Sequence, residues 1–161
     1  MNINNIILVL GEPYSTFSEI IAKYFINKKI NKKIILVGNY NLLKSQLSKL
    51  NYNLKFNKIK KLSDSKKNIL NIYDVDFEYK ETFTKLSNKS NKYIKTCFSI
   101  GLNLVKKVKK SVLINGPVSK KTFLRKKYLG ITEYLSNKTK SKNEVMLIYN
   151  FFFCNIFIDL F

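Results

Sequence analysis

The feature that most constrains this chain is the alternation, over its N-terminal third, of strand-length apolar runs with segments of helical period. Residues 4–10 read NNIILVL, a run closed by Gly11 and Pro13. Phe17, Ile20, Ile21, Tyr24 and Phe25 then recur at helical spacing through Asn27. Ser15, Thr16 or Ser18 can cap that helix, and Glu19 in its first turns suits the helix dipole. Residues 33–38 (KIILVG) form a second apolar run, after which Asn39 or Asn41 caps a helix carrying Leu42, Leu43, Leu47 and Leu50. Strand, helix, strand, helix at this spacing is a βαβα unit, which predicts a parallel sheet with right-handed crossovers.

The middle is less regular. Residues 55–59 and 69–73 (ILNIY) read as short strands around a charged, serine-containing turn at 60–67. Asp74, Asp76, Glu78 and Glu81 form the acidic cluster of the chain. Their irregular spacing, with no loop glycine, reads as a solvated loop offsetting nearby lysines rather than a calcium loop. A long helix is expected over 90–109, with Ile94, Cys97, Phe98, Leu102, Val105 and Val108 on one stripe and lysines at its C-terminal end.

That helix delivers the chain into residues 112–133, VLINGPVSKKTFLRKKYLGITE. A buried strand over 112–115 is expected to break at Gly116-Pro117, restart as a short basic helix over 119–126, and cross Gly130 into a polar turn at Thr132-Glu133. A strand that ends in a tight turn before a helix N-terminus aims backbone N–H groups beyond the sheet, where open α/β sheets bind anions. Lys120 adds a cation there. Each of these residues also has a plainer reading: Lys120 as a solvated lysine like Lys121, Thr132 as a helix cap and Glu133 as a first-turn acid.

Composition narrows the partners. The formal net charge is +20, yet Arg125 is the sole arginine, and phosphate and base readers favour arginine for its bidentate fork. Lysine, asparagine, isoleucine, phenylalanine and tyrosine are all over-used, as A/T-rich codons would produce with no partner involved. No specific nucleic-acid partner is therefore expected. Cys97 and Cys154 lie far apart in apolar company and read as buried free thiols. Together with a first stretch, Met1 to Asn4, that lacks a basic signal region, they point to a cytoplasmic protein.

Asn115-Gly116-Pro117-Val118-Ser119-Lys120, then Gly130-Ile131-Thr132-Glu133-Tyr134-Leu135, then Val145-Met146-Leu147 resemble 4-hydroxythreonine-4-phosphate dehydrogenase. That family carries Thr-x-Pro-Ile-x-Lys, Gly-His-Thr-Glu-x-Leu and Met-Met-Leu segments in this order. Gly11-Glu12-Pro13 with Glu19-Ile20 is similar to the family's opening Gly-Asp-Pro…Pro-Glu-Ile. The resemblance implies an α/β fold: a three-layer α/β/α arrangement with a largely parallel sheet, isocitrate/isopropylmalate dehydrogenase-like and incomplete. It implies oxidation, with decarboxylation, of 4-phosphooxy-threonine in pyridoxal phosphate synthesis, using NAD and a divalent metal such as zinc or magnesium, in a homodimer. The NAD of that family does not sit on a Gly-x-Gly-x-x-Gly turn.

By this resemblance Thr132 is the substrate-contacting threonine, Glu133 the family glutamate and Lys120 its lysine, with Gly116 in the adjoining turn. Ile131 stands where the family has histidine, and Ser15, Phe17 and Ser18 replace two glycines and a proline of the first loop. The chain has no histidine, so the family's histidine metal ligands have no counterpart. Residues 1–150 are thus expected to form a partial dehydrogenase-like domain. Residues 151–161 (FFFCNIFIDLF) are read as an apolar tail produced by a frameshift or truncation; the run is too short and interrupted for a membrane span. The fragment is expected to lack turnover. The alternatives are a module that binds a phosphorylated metabolite without catalysis, and a basic nucleic-acid-binding protein.

Overall fold

The computed structural model describes residues 3–125 and 127–141, and the backbone of residues 145–149 and 154–158. The chain forms two compact units, Met1–Ser119 and Lys120–Phe161. The first contains β1 (Asn5–Val9), α1 (Phe17–Phe25), β2 (Lys33–Gly38), α2 (Tyr40–Lys49), β3 (Phe56–Ile59), β4 (Leu70–Asp74), α3 (Asn91–Lys107) and β5 (Ser111–Asn115). Its five strands make one sheet in the order β3-β4-β2-β1-β5. Every pairing is parallel, and Val9 of β1 lies between Val37 of β2 and Asn115 of β5.

The alternation of side chains along each strand sorts the helices into layers. Leu8, Ile34, Leu36, Leu70 and Ile72 share one face and pack with Ile21 and Ala22 of α1 and Leu43 and Leu47 of α2. Ile7, Val9, Ile35 and Val37 occupy the opposite face and are fully or almost fully buried. There α3 lies so close that a Cβ at Gly101 would meet the Val9, Leu113 and Ile7 side chains. Helices on both faces of a parallel sheet explain why β1 and β2 read as continuous apolar runs. The three-layer α/β/α expectation therefore holds for this unit.

Local signals set the element ends. Asn39 caps α2 by accepting from the Leu42 amide at 2.8 Å, and Lys106 and Lys107 occupy the last turn of α3. At α1, Thr16 sits at the N-cap without a side-chain bond. The Ser15 hydroxyl instead accepts from the Phe17 amide at 3.3 Å. The connection from β3 to β4 is organised by Asn71, whose side chain donates to the Ile34 and Lys66 carbonyls and accepts from the Lys66 amide and Asn57. Cys97 is a buried free thiol, as expected, and burial pushes it up to about 12. Cys154 belongs to a strand whose side chains lie outside the described residues.

Three expectations need correction. First, β5 is not a buried strand. Among the described residues it pairs only with β1, and Ile114 is 42% exposed. Leu113 faces α3, whereas Ile114 lines an open apolar groove of about 390 Å³ with Ile6, Phe17, Ile20 and Tyr24. Second, the buried stripe of α3 runs through Tyr93, Ile94, Cys97, Phe98, Gly101 and Leu104, leaving Leu102 and Val105 half-buried. Ile94, Cys97 and Phe98 are buried as expected, but glycine at the closest approach carries no hydrophobic signal, so the sequence pattern is rotated by a fraction of a turn from the buried face. Third, the short helix expected over 119–126, whose last residue lies outside the described residues, is not regular over 119–125. Lys120–Leu124 is one π-helical turn, closed by the Arg125 amide on the Lys120 carbonyl at 3.0 Å.

The second unit continues with α4 (Ile131–Thr139) and an antiparallel pair, β6 (Val145–Tyr149) with β7 (Cys154–Ile158). Tyr134 stacks edge-on with Phe123 and Tyr128 at 5.2 and 5.4 Å between ring centroids, and Phe123 and Leu124 are buried.

Candidate functional site

The carboxyl ends of β1 and β5 are joined backbone to backbone. Gly11 adopts a left-handed φ of 73°. A Cβ at Gly11 would collide with the Pro117 carbonyl, and one at Gly116 with the Leu10 carbonyl. Two hydrogen bonds close the seam: the Glu12 amide donates to the Pro117 carbonyl at 2.9 Å, and the Gly116 amide to the Val9 carbonyl at 2.7 Å. Gly116 is buried and its N–H is spent, while Pro117 has none. The turn therefore offers no anion donor at either position, and Gly116 contributes the close backbone approach instead.

Between the ends of β2 and β4 the loops lead to opposite faces of the sheet, the place where open α/β sheets usually bind ligands. Here the crevice is closed by the protein's own groups. Asn39 donates from Nδ2 to the Val75 carbonyl at 3.0 Å, and its amide donates to the Tyr93 hydroxyl at 2.8 Å. Asp74 accepts the Tyr40 amide at 2.8 Å and pairs with Lys58 at 2.8 Å, which holds the lysine above its ordinary range. Asp74 is thus a capping residue for α2, unlike the exposed Asp76, Glu78 and Glu81, which are the solvated loop carboxylates expected.

Glu12 is the residue the sequence pattern undervalues. It follows β1 in the Gly11-Glu12-Pro13 segment, yet it is only 3% exposed. Its Oε1 accepts from the Ser90 hydroxyl at 3.0 Å. Burial raises its pKa above the ordinary carboxylate value, and the bonds from Ser90 and the Tyr14 backbone oppose that shift. Glu12 Oε2 has no protein partner, nor has the buried Ser18 hydroxyl. Ser90 lies 78 positions away along the chain, so no local spacing announces this contact.

Ile131, Thr132 and Glu133 form the first turn of α4 and are half-buried. The expected polar turn is therefore helical, and Gly130 rather than Thr132 is the N-cap. A Cβ on Gly130 would lie 3.1 Å from Glu133 Oε2, so the carboxylate folds back over the helix start, where the dipole favours a negative charge. That Oε2 is buried with no hydrogen-bond partner. Lys120 is exposed, as is Lys121. The two compact units divide between Ser119 and Lys120, so Gly116 belongs to one, and Lys120, Ile131, Thr132 and Glu133 to the other.

Among the described residues the donor set does not fit a divalent ion. The sequence has no histidine, and among the described residues no three His, Cys, Asp or Glu side chains come together. Among those residues, no helix is long and apolar enough to cross a membrane.

Against this geometry, the family model described as pyridoxal phosphate biosynthetic protein PdxA matches residues 30–155. In structure, the chain resembles a 4-hydroxythreonine-4-phosphate dehydrogenase from Burkholderia phymatum, with a TM-score of 0.80 at 18% identity, over 97% of this chain and 49% of that one. It also resembles one from Klebsiella pneumoniae, with a TM-score of 0.79 at 17% identity, over 97% of this chain and 50% of that one. The chain thus spans about half the length of these structures. No curated protein matches it in sequence.

Proposed function

The chain belongs to the family of the pyridoxal phosphate biosynthetic protein PdxA, and from that premise we propose that it is the counterpart of part of a 4-hydroxythreonine-4-phosphate dehydrogenase. The observation that carries this reading is the family match over residues 30–155, which includes both the Gly116–Lys120 segment and the Ile131–Glu133 segment. The partner proposed is a phosphorylated small molecule, 4-phosphooxy-threonine. The Thr132 hydroxyl donates to a phosphate or carboxylate oxygen, and Lys120 supplies a mobile cation. Glu133 accepts from a substrate hydroxyl or ammonium group. Ile131 presents an apolar surface where the resemblance has a polar contact, and Gly116 shapes the turn. The reaction of the whole family enzyme would be NAD-dependent oxidation followed by decarboxylation, in a cytoplasmic homodimer.

This chain alone is proposed to bind without turning over. An oxidised hydroxy acid loses carbon dioxide readily when a metal stabilises the enolate, and the residues described here supply no ligand set for one. The test is NADH formation from 4-phosphooxy-threonine with NAD and added zinc or magnesium. The expected result is no signal above that of a heat-denatured control. Metal-dependent NADH formation that scales with protein would reverse the proposal. Residues 1–150 are proposed as a partial dehydrogenase-like domain, followed by the apolar tail 151–161.

A further inference from the structure

Glu12 and Ser18 are both more than nine-tenths buried, at 3% and 6% exposure. Glu12 Oε2 and the Ser18 hydroxyl each lack a hydrogen-bond partner, so they do not bond each other. Both residues line one cavity of about 20 Å³. The other polar side chains on its wall are committed within the protein. Asn39 caps α2 and donates to Val75, Gln46 donates to the Pro13 and Thr82 carbonyls, and the Tyr93 hydroxyl accepts from the Asn39 amide.

Two open hydrogen-bonding groups on a small cavity leave few solutions. An unsatisfied buried oxygen is costly, and a polar cavity needs only about 10–15 Å³ to hold a water. We propose that this cavity is a built site for a single water molecule that bridges Glu12 Oε2 and the Ser18 hydroxyl. Water suits the chemistry: it donates to one oxygen while donating to or accepting from the other, whatever the protonation of Glu12. The consequence reaches the sheet edge. The Glu12 backbone amide holds the Pro117 carbonyl, its Oε1 holds the start of α3 through Ser90, and the bridge adds a tie to the first turn of α1. Glu12 is then a positioning residue for the Gly116-Pro117 turn. This holds independently of whether the chain binds a phosphorylated ligand.

Two measurements on the full chain test it. A crystal structure at a resolution that places waters should show a peak about 2.6–3.2 Å from both oxygens. An empty cavity, or a direct bond between Glu12 and Ser18, would overturn the proposal. The second measurement is amide hydrogen exchange at Glu12 and Gly116 in Ser18→Ala, a substitution that removes one end of the bridge and leaves the helix intact. Exchange at both amides should speed up roughly two- to tenfold, as expected for one lost hydrogen bond, while the amides of β2 and β4 keep their rates. Unchanged exchange at Glu12 and Gly116 would refute the tie.

Discussion

At the residue scale, the structure depends on buried polar groups that apolar periodicity does not reveal. Asn71 is 0% exposed in β4 and bonds to Ile34, Lys66 and Asn57 at once. Asn71→Ala should therefore cost about 2–4 kcal/mol in urea unfolding, because several partners lose their bonds together. A loss under about 1 kcal/mol would mean that water replaces the side chain. Glu12 supplies a pH signature. Burial raises its pKa above 4.5, so the folded chain holds this proton more tightly than the unfolded one. The stability from this linkage is fully present below the unfolded value and is lost as pH rises through the folded value. Glu12→Gln keeps a neutral group of the same shape and removes that loss. The variant should melt close to the parent chain at acidic pH and above it at pH near 7. A variant that matches the parent chain at acidic pH but melts below it near pH 7 would show instead that the charged carboxylate stabilises the fold.

At the element scale, what was legible follows from where the apolar surface lies. The runs at β1 and β2, the Asn39 cap and the lysine-rich end of α3 were readable, because each depends on local composition and a buried parallel strand is apolar on both faces. The contacts of Glu12, Ser90 and Asp74 were not, because they join residues far apart in the chain. The π-helical turn at Lys120–Leu124 escaped for a related reason: a basic segment after Gly-Pro carries the same local signals as an α-helix. Gly101 marks a further limit, since a residue without a side chain is essential to how α3 approaches β1. Gly101→Ala places a Cβ against Val9 and Leu113. It should destabilise the chain by about 1–3 kcal/mol through overpacking, whereas an alanine at a solvent-facing helix position would stabilise. A stabilised Gly101→Ala would place α3 farther from the sheet than described.

At the scale of the whole molecule, the family match and the fold agree, and the chain covers about half of the dehydrogenases it resembles. The residues proposed to meet the substrate lie at the first turn of α4 and in the turn before it, in a unit with its own small aromatic core. The charge of +20 would draw any polyanion weakly and be screened by salt, so specific binding must be read at moderate ionic strength. The most direct test of the account is a calorimetric titration of 4-phosphooxy-threonine into the chain at such a salt concentration, beside its Thr132→Val variant. Saturable binding is expected, weakened by about ten- to a hundredfold when the hydroxyl is removed, the loss expected for one hydrogen bond to a charged group. Absence of saturable heat, or equal affinity in Thr132→Val, would contradict it.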